Sequence, residues 1–166
     1  MMKISPRLIY SIGFLFSISV VAASLYLQFH EGLEPCALCI VQRALIILLG
    51  LLCAIGILFS PMHKIAGKIY ASIITLIALL GTASALRKIW LESLPHDKAP
   101  PCGPGLQYML DHLPFHQTLK ILVVGSGDCS KIEWQFWGLA LSEWSLLAFL
   151  VFVGLGLWQI YQARFQ

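Results

Sequence analysis

The feature that most constrains the fold is the absence of charge from four long stretches of the chain. These charge-free stretches lie between Arg7 and Glu31, Arg43 and Lys64, Lys68 and Arg87, and Glu143 and Arg164. Each holds 18 to 23 residues, close to the roughly 20 helical residues needed to cross a hydrocarbon core about 30 Å thick. Unpaired backbone polar groups are costly in lipid, so spanning segments form helices or closed barrels, and no alternating barrel pattern is present. The sequence therefore predicts an all-α membrane protein with a four-transmembrane-helix bundle.

The composition agrees with this fold class. Of 166 residues, 58% are hydrophobic and 11% are charged, against about 25% charged in soluble domains. We expect a single integral membrane domain over residues 1–166, with helices at about 8–29, 40–60, 66–88 and 143–163. The net charge of +3 comes with no basic patch, so nothing points to nucleic acid.

The first apolar segment has some features of a cleaved signal peptide. Lys3 and Arg7 give it a basic start, and Val21-Ala22-Ala23 is weakly similar to a cleavage site. Its apolar run, from Leu8 to Phe29, is longer than the 7 to 15 or so residues of a signal core. We therefore expect the segment to be retained as the first helix.

The positions of the cysteines follow from counting the crossings. Four crossings return both termini to one side, so the loops between helices 1 and 2 (about 30–39) and between helices 3 and 4 (about 90–142) share the other side. Cys36 and Cys39 lie in or beside the first loop, and Cys102 and Cys129 lie in the second. Cys53 alone lies well inside a predicted helix, where we expect a buried, inert thiol.

Charges near the helix ends indicate the orientation. The cations near helix ends on the side of the termini are Lys3, Arg7, Lys64, Lys68 and Arg164, whereas the short first loop carries Glu31 and Glu34 without a cation. Lys88, Lys98, Lys120 and Lys131 are assigned to the long loop, where the positive-inside rule weakens. We therefore expect cytoplasmic termini and cysteine loops outside the cytoplasm, in an oxidising compartment that permits disulfides.

The stretch "EPCALCIVQR", residues 34–43, places a CxxC pair at the start of the second helix. Pro35 suits a helix start, and a thiol in the first helical turn is favoured as the thiolate by the positive end of the dipole. Arg43 follows Cys39 by four residues, one turn along the same face. The alternative for Arg43 is a cation that only anchors the helix at the interface.

A dithiol at the membrane boundary can pass electrons to an acceptor dissolved in the lipid, and quinones are the obvious two-electron acceptors. An arginine could bind a quinone carbonyl oxygen and stabilise its growing charge. Cys102 lies in the proline-rich segment "LPHDKAPPCGPG", which we expect to be accessible to a soluble protein. Two cysteine pairs on one side of the membrane thus predict a relay between a soluble dithiol and a membrane oxidant.

Three segments, "PCALCIVQR", "PPCGPGLQYML" and "GSGDCSKIEWQFWGLALSEW", together resemble the DsbB family of bacterial disulfide-bond formation proteins. The resemblance covers essentially the whole chain. It implies a multi-pass protein of the bacterial inner membrane that reoxidises a periplasmic, thioredoxin-fold DsbA-type protein and reduces ubiquinone or menaquinone. It also implies two redox-active disulfides, Cys36–Cys39 and Cys102–Cys129.

The resemblance further implies a role for each site residue. Cys102 matches the cysteine that forms the transient mixed disulfide with the DsbA-type partner. Cys129 matches its resolving partner, which can also bridge to Cys36. Cys39 is then the thiolate nearest the quinone, and Arg43 matches the arginine of the quinone site.

Other residues are weaker candidates for quinone binding. The end of helix 3, "ALRKIWLESL", does not align securely with the family, so Arg87, Trp90 and Glu92 are candidates whose alternative is an interface anchor or a solvated charge. Gln42 lies beside Arg43 and could face the quinone ring or simply another helix. After Cys129, an aromatic residue pattern at helical spacing predicts a short interfacial helix, and it consists of Trp134, Trp137, Leu141 and Trp144.

Three alternatives remain. The cysteines could only staple loops, although a CxxC disulfide closes too short a loop to stabilise much. Cys36, Cys39, His112 and His116 could bind zinc, although Pro114 interrupts the spacing of the two histidines; we expect no metal. Within the family, the chain could be a DsbI-like paralogue dedicated to one specialised DsbA-like partner.

Overall fold

The computed structural model describes residues 5–30, 32, 36–59, 64–94, 114, 135–136 and 138–162. Within these residues the elements are α1 (Pro6–His30), α2 (Ala37–Phe59), α3 (Lys64–Glu92), β1 (Gln135–Phe136), β2 (Leu139–Ala140) and α4 (Leu141–Gln162). All four helices are long and apolar enough to cross a membrane. The predicted four-helix fold class is confirmed, while the single domain over 1–166 stays a prediction.

The helices pack as two pairs, α1 with α2 and α3 with α4, which α2 and α3 join. Neighbouring helices run in opposite directions. Tyr10, near the start of α1, lies against Gly56 near the end of α2, whereas Gln28, near the end of α1, contacts Arg43 near the start of α2. The connections from α1 to α2 and from α2 to α3 are short, which favours antiparallel neighbours.

The same alternation brings four helix ends together. Lys88 in the last turns of α3 contacts Cys39 at the start of α2, and Ser142 at the start of α4 contacts Glu92 at the end of α3. The end of α1, the start of α2, the end of α3 and the start of α4 therefore meet at one end of the bundle. This is the end at which the chain joins α1 to α2 and α3 to α4.

Small residues allow the helices of the bundle to approach closely. Phe149 of α4 is fully buried and its ring lies directly over Gly81 of α3, where a β-carbon would collide with it. Ser17 of α1 lies in the same way over Gly50 of α2 and donates a hydrogen bond to the carbonyl of Ile46 at 2.7 Å. Close packing of small residues is a common source of helix association in lipid.

The outer surface of the bundle is apolar. Large side chains project outward along the helices, among them Leu15 on α1, Leu58 on α2, Leu76 on α3 and Leu157 on α4. A soluble monomer rarely exposes contiguous apolar area on this scale. The surface suits contact with lipid, in agreement with four membrane-spanning helices.

Residues 135–140 differ from the predicted interfacial helix. β1 and β2 pair antiparallel, with Gln135 opposite Ala140, and Gly138 between them has a φ of +78°, a left-handed conformation that favours glycine. Helix α4 begins only at Leu141, where the backbone N–H of Ala140 donates to the Glu143 carboxylate at 2.7 Å. The helical spacing of the aromatic residues was therefore misleading, because a glycine turn and a helix-capping carboxylate determine the backbone here.

Candidate redox site

The CxxC pair lies at the first turn of α2. Cys36 immediately precedes the helix, and its carbonyl accepts the first helical hydrogen bond, from the N–H of Ile40 at 3.1 Å. Cys39 is the third residue of the helix. Free N–H groups and the positive dipole end are found at this position, so the helix favours a thiolate here, as the sequence predicts.

The two sulfur atoms of the pair are within reach of each other. Cys36 Sγ lies 3.2 Å from Cys39 Sγ, with the Cys36 thiol as hydrogen-bond donor. A disulfide bond is about 2.05 Å long, so little movement of the two sulfur atoms is needed to close one. This arrangement can cycle between dithiol and disulfide.

A lysine reaches this pair from another helix. Lys88 Nζ donates to Cys39 Sγ at 3.0 Å. Lys88, counted above with the cations of the long loop although it ends the helix predicted at about 66–88, lies inside α3, because α3 continues to Glu92. Lys88 is therefore a helical residue at the α2–α3 interface.

The ammonium group of Lys88 has a carboxylate on its other side. Glu92, one turn further along α3, has its Oε1 at 3.5 Å from Lys88 Nζ, and the two side chains are only 5% and 8% exposed. The hydroxyl of Ser142 donates to the other carboxylate oxygen of Glu92. Cys39, Lys88, Glu92 and Ser142 thus form a polar chain, here called the Cys39–Ser142 network, that connects α2, α3 and α4.

The surroundings of the network are apolar. Cys36, Leu38 and Leu91 form a buried cluster, against which Cys39 and Leu94 pack. Electrostatic interactions are stronger in such surroundings than in water because screening is weak. The charge on Lys88 therefore acts strongly on the sulfur of Cys39.

The predicted quinone-site residues of α2 face different neighbours. Arg43 Nη1 donates to Gln28 Oε1 at 2.6 Å, and Arg43 Nη2 lies 3.5 Å from the carbonyl oxygen of Ser24, so the guanidinium group is bound to α1. Gln42 is buried at 3% exposure. Its Nε2 has no hydrogen-bond partner among the residues that the structure describes.

The three weaker candidates on α3 have defined positions. The Arg87 guanidinium lies over the Trp90 ring, 4.5 Å from its centroid, a cation–π contact. Glu92, which the sequence analysis considered only as a weak candidate, belongs to the Cys39–Ser142 network. The i, i+4 spacing of Lys88 and Glu92 is the sequence signal that could have revealed the network.

The remaining predicted site residues differ in what is known of them. Cys102 and Cys129 lie outside the described residues, as do His112 and His116 of the zinc alternative. Cys53 lies buried in the bundle core against Gly13, 14 residues along the chain from Cys39, about 21 Å of helix. A disulfide requires Cα atoms within about 7 Å, so Cys53 is separate from the redox pair.

Comparison with known proteins decides the family. The sequence model for the disulfide bond formation protein DsbB matches residues 6–159. The chain belongs to the DsbB family. Disulfide bond formation protein B of Stutzerimonas stutzeri is 40% identical over 156 residues, which cover 94% of this chain and 95% of the relative. Disulfide bond formation protein B 1 of Pseudomonas aeruginosa is 39% identical over 155 residues, covering 93% and 94%.

Membership of the DsbB family fits both the fold and the site. Disulfide bond formation protein B of Nitrosococcus oceani adds a relative at 39% identity over 160 residues, covering 96% of this chain and 94% of the relative. The chain is accordingly a multi-pass membrane protein of disulfide bond formation with a disulfide oxidoreductase role. Its dithiol at the first turn of α2 is the chemistry that this role requires.

Proposed function

We propose that this DsbB-family protein reoxidises the dithiol of a DsbA-type periplasmic protein and passes the electrons to a membrane quinone. The observation that carries the proposal is the Cys36–Cys39 pair, held 3.2 Å apart at the mouth of a membrane-spanning helix. In this proposal, a cysteine from an adjoining loop and a lipid-soluble acceptor both reach the pair at this place. The proposed location is the bacterial inner membrane, with both termini in the cytoplasm.

The electrons travel in three exchanges. The two thiols of the soluble partner are oxidised to a disulfide while the Cys102–Cys129 disulfide is reduced, through a mixed disulfide at Cys102. The resulting dithiol reduces the Cys36–Cys39 disulfide, with Cys129 bridging to Cys36. Cys36 and Cys39 then close their disulfide again and release two electrons and two protons. A bound ubiquinone or menaquinone supplies the sink for both electrons and both protons.

The residues around Cys39 fit a quinone. Gln42 lies three residues after Cys39, and its buried Nε2 lacks a partner among the described residues, so it has a donor to offer to a carbonyl oxygen. Buried donors without partners are uncommon in proteins and call for an explanation. Arg43 is close along the helix and supplies positive charge, although its guanidinium group is bound to α1. Gln42 and Arg43 would therefore hold the quinone, and the apolar cluster of Cys36, Leu38 and Leu91 excludes water from the thiols.

Energetics explain why an external acceptor is needed. A partner dithiol at about −120 mV cannot be oxidised by an ordinary CxxC pair at about −270 mV, since about 150 mV corresponds to about 7 kcal/mol uphill for two electrons. Either the pair must be unusually oxidising or the quinone must remove the electrons. We propose that both contribute.

The experiment that tests the function combines purified full-length protein, a reduced DsbA-type protein and a soluble quinone, with quinone absorbance as the readout. The wild type is expected to turn over, and Cys39→Ser is expected to abolish turnover because the electron exit is lost. The matched control is Cys53→Ser, which changes a buried thiol outside the redox pair and should retain turnover. Turnover by Cys39→Ser would contradict the role of Cys39.

The same assay separates the alternatives. Absence of turnover by the wild type with any quinone would contradict the enzymatic proposal and favour cysteines that only staple loops. A dedicated paralogue predicts turnover with one specialised partner and little with general DsbA-type proteins. A range of partners at comparable rates would argue against such dedication.

A further inference from the structure

The electron path proposed above assigns no role to the charged residue Lys88. It lies within α3, a helix long and apolar enough to cross a membrane, and it is 4% exposed. An ionisable side chain inside such a helix is costly to keep, and it generally marks a functional site with a specific partner. The partners are present here: Cys39 at 3.0 Å and Glu92 at 3.5 Å.

The charges of these partners change with the redox state of the pair. When Cys36 and Cys39 form a disulfide, Cys39 carries no charge, and Glu92 is the one anion beside Lys88 within the described part of the chain. When the pair is reduced, a thiolate at Cys39 adds a second anion next to the same ammonium group. Because the thiolate exists only in the reduced form, attraction by Lys88 stabilises that form selectively.

Glu92 and Ser142 hold the ammonium group through contacts that do not involve the cysteine pair. Glu92 is one turn from Lys88 on α3, and its second carboxylate oxygen accepts a hydrogen bond from Ser142 of α4. Lys88 is thereby directed towards α2 without needing the thiolate to fix its position. The guanidinium group of Arg43, by contrast, is bound to Gln28 and Ser24 of α1.

We propose that Lys88 is the counter-ion of the Cys39 thiolate and makes the Cys36–Cys39 disulfide more oxidising, with Glu92 and Ser142 as positioning residues. A disulfide whose reduced form is stabilised is a stronger oxidant, which is the property that the energetic gap to the DsbA-type partner demands. The inference deepens the proposed function, since Cys39 is the electron exit there. It concerns the equilibrium of the cysteine pair itself and can be measured without a quinone.

The test is the equilibrium of the pair with reduced and oxidised glutathione, in the full chain carrying Cys102→Ala and Cys129→Ala. Two glutathione thiols are oxidised to glutathione disulfide as the Cys36–Cys39 disulfide is reduced to the dithiol. Lys88→Met should lower this equilibrium constant about tenfold, which is about 30 mV for a two-electron couple. Lys88→Arg, which keeps the charge, should restore most of it.

Two further variants separate an electrostatic role from a structural one. Glu92→Gln keeps the length of the side chain and an oxygen that can accept from Lys88, so Lys88 stays in position. It removes only the anion that competes with the thiolate for Lys88, so it should raise the equilibrium constant. Lys68→Met, at the opposite end of α3 and about 30 Å away along the helix, should leave it unchanged. A damaged structure would instead lower the constant in both Lys88→Met and Glu92→Gln.

A second readout is the rate at which iodoacetamide alkylates Cys39 in a Cys36→Ala background at neutral pH. This rate follows the thiolate fraction, so Lys88→Met should slow it several-fold and Lys88→Arg should not. A folded Lys88→Met protein with an unchanged equilibrium constant would overturn the inference. If Lys88→Met does not fold, a lowered constant in Glu92→Gln overturns it equally.

The two proposals fail in distinguishable ways. Wild-type protein without quinone turnover, but with the expected shifts in the glutathione equilibrium, would refute the proposed acceptor and leave the role of Lys88 intact. Normal quinone turnover by the wild type, with an unchanged glutathione equilibrium constant in Lys88→Met, would refute the role of Lys88 and leave the proposed acceptor intact.

Discussion

Arg43 shows how a residue can fit a motif while its contacts point to a second role. Helical spacing places it one turn from Cys39, yet its guanidinium group donates to Gln28 at 2.6 Å and lies near the carbonyl of Ser24 on α1. These contacts join α1 to α2 at the site end of the bundle. The proposed role of Arg43 in quinone binding therefore has to be separated from its role in packing.

Replacing Arg43 by histidine makes this separation measurable. Losing a charge-assisted hydrogen bond to a quinone oxygen costs about 1.5 to 3 kcal/mol, so Arg43→His should raise the KM for quinone about tenfold or more. The KM for the DsbA-type protein should change little, because the proposed site of its reaction is Cys102. Steady-state kinetics with each substrate varied in turn measures both.

The control for this variant is Gln28→Ala, which removes the partner of Arg43 on α1 and leaves the cation in place. It should raise the KM for quinone much less than Arg43→His does. Equal effects of Arg43→His on both KM values, reproduced by Gln28→Ala, would instead assign Arg43 to holding the two helices together.

At the scale of single elements, the limits of sequence reasoning are clearest in α3. Its apolar middle is evident from the sequence. From local composition alone, however, the charged residues near its end predict that the membrane span stops before them. Lys88 and Glu92 are accommodated inside the helix because Cys39 of α2 and Ser142 of α4 supply their partners. Those contacts join residues about 50 positions apart, and no local pattern contains them.

The aromatic segment before α4 shows a second limit of local sequence patterns. The spacing of its tryptophans is that of a helix, yet Gln135–Phe136 and Leu139–Ala140 pair as antiparallel strands, and Gly138 has a positive φ. The start of α4 carries only half of the capping-box pattern, because Glu143 accepts from the cap N–H but the cap residue is Ala140 and not a serine or threonine. Periodicity alone therefore does not distinguish a helix from a hairpin in so short a segment.

The contact between α3 and α4 yields a prediction on stability. Gly81→Ala introduces a β-carbon where the fully buried ring of Phe149 lies, so one of the two helices must shift. Overpacking of this kind costs about 1 to 3 kcal/mol. Thermal unfolding of the purified protein in detergent should show a clearly lower midpoint for Gly81→Ala than for the wild type.

A second glycine provides the matched control for this experiment. Gly154 lies on α4, and a β-carbon there would have no neighbouring atom within 4 Å. Gly154→Ala should leave the unfolding midpoint unchanged or raise it slightly, since alanine favours the helix. An unchanged midpoint in Gly81→Ala would mean that α3 and α4 are not packed as described.

At the scale of the whole molecule, the number of predicted membrane crossings was more informative about the arrangement of the helices than any motif. Four charge-free stretches predict four crossings. Because successive crossings alternate in direction, the α1–α2 and α3–α4 connections lie at one end, where the ends of the four helices do meet. Which face of the membrane this end occupies depends on a few cations near the helix ends. This orientation is established when the chain is inserted into the membrane, so it is measured in cells.

Reporter fusions in bacterial cells make that measurement. With cytoplasmic termini, a green fluorescent protein fused after Gln166 should fluoresce, and alkaline phosphatase at the same position should be inactive, because it needs an oxidising compartment for its disulfides. Alkaline phosphatase fused after Pro114, between α3 and α4, should be active. The reverse result at both positions would place the Cys36–Cys39 pair on the cytoplasmic side. A reducing cytoplasm would then oppose disulfide formation at the pair, and the proposed reoxidation of a periplasmic protein would be excluded.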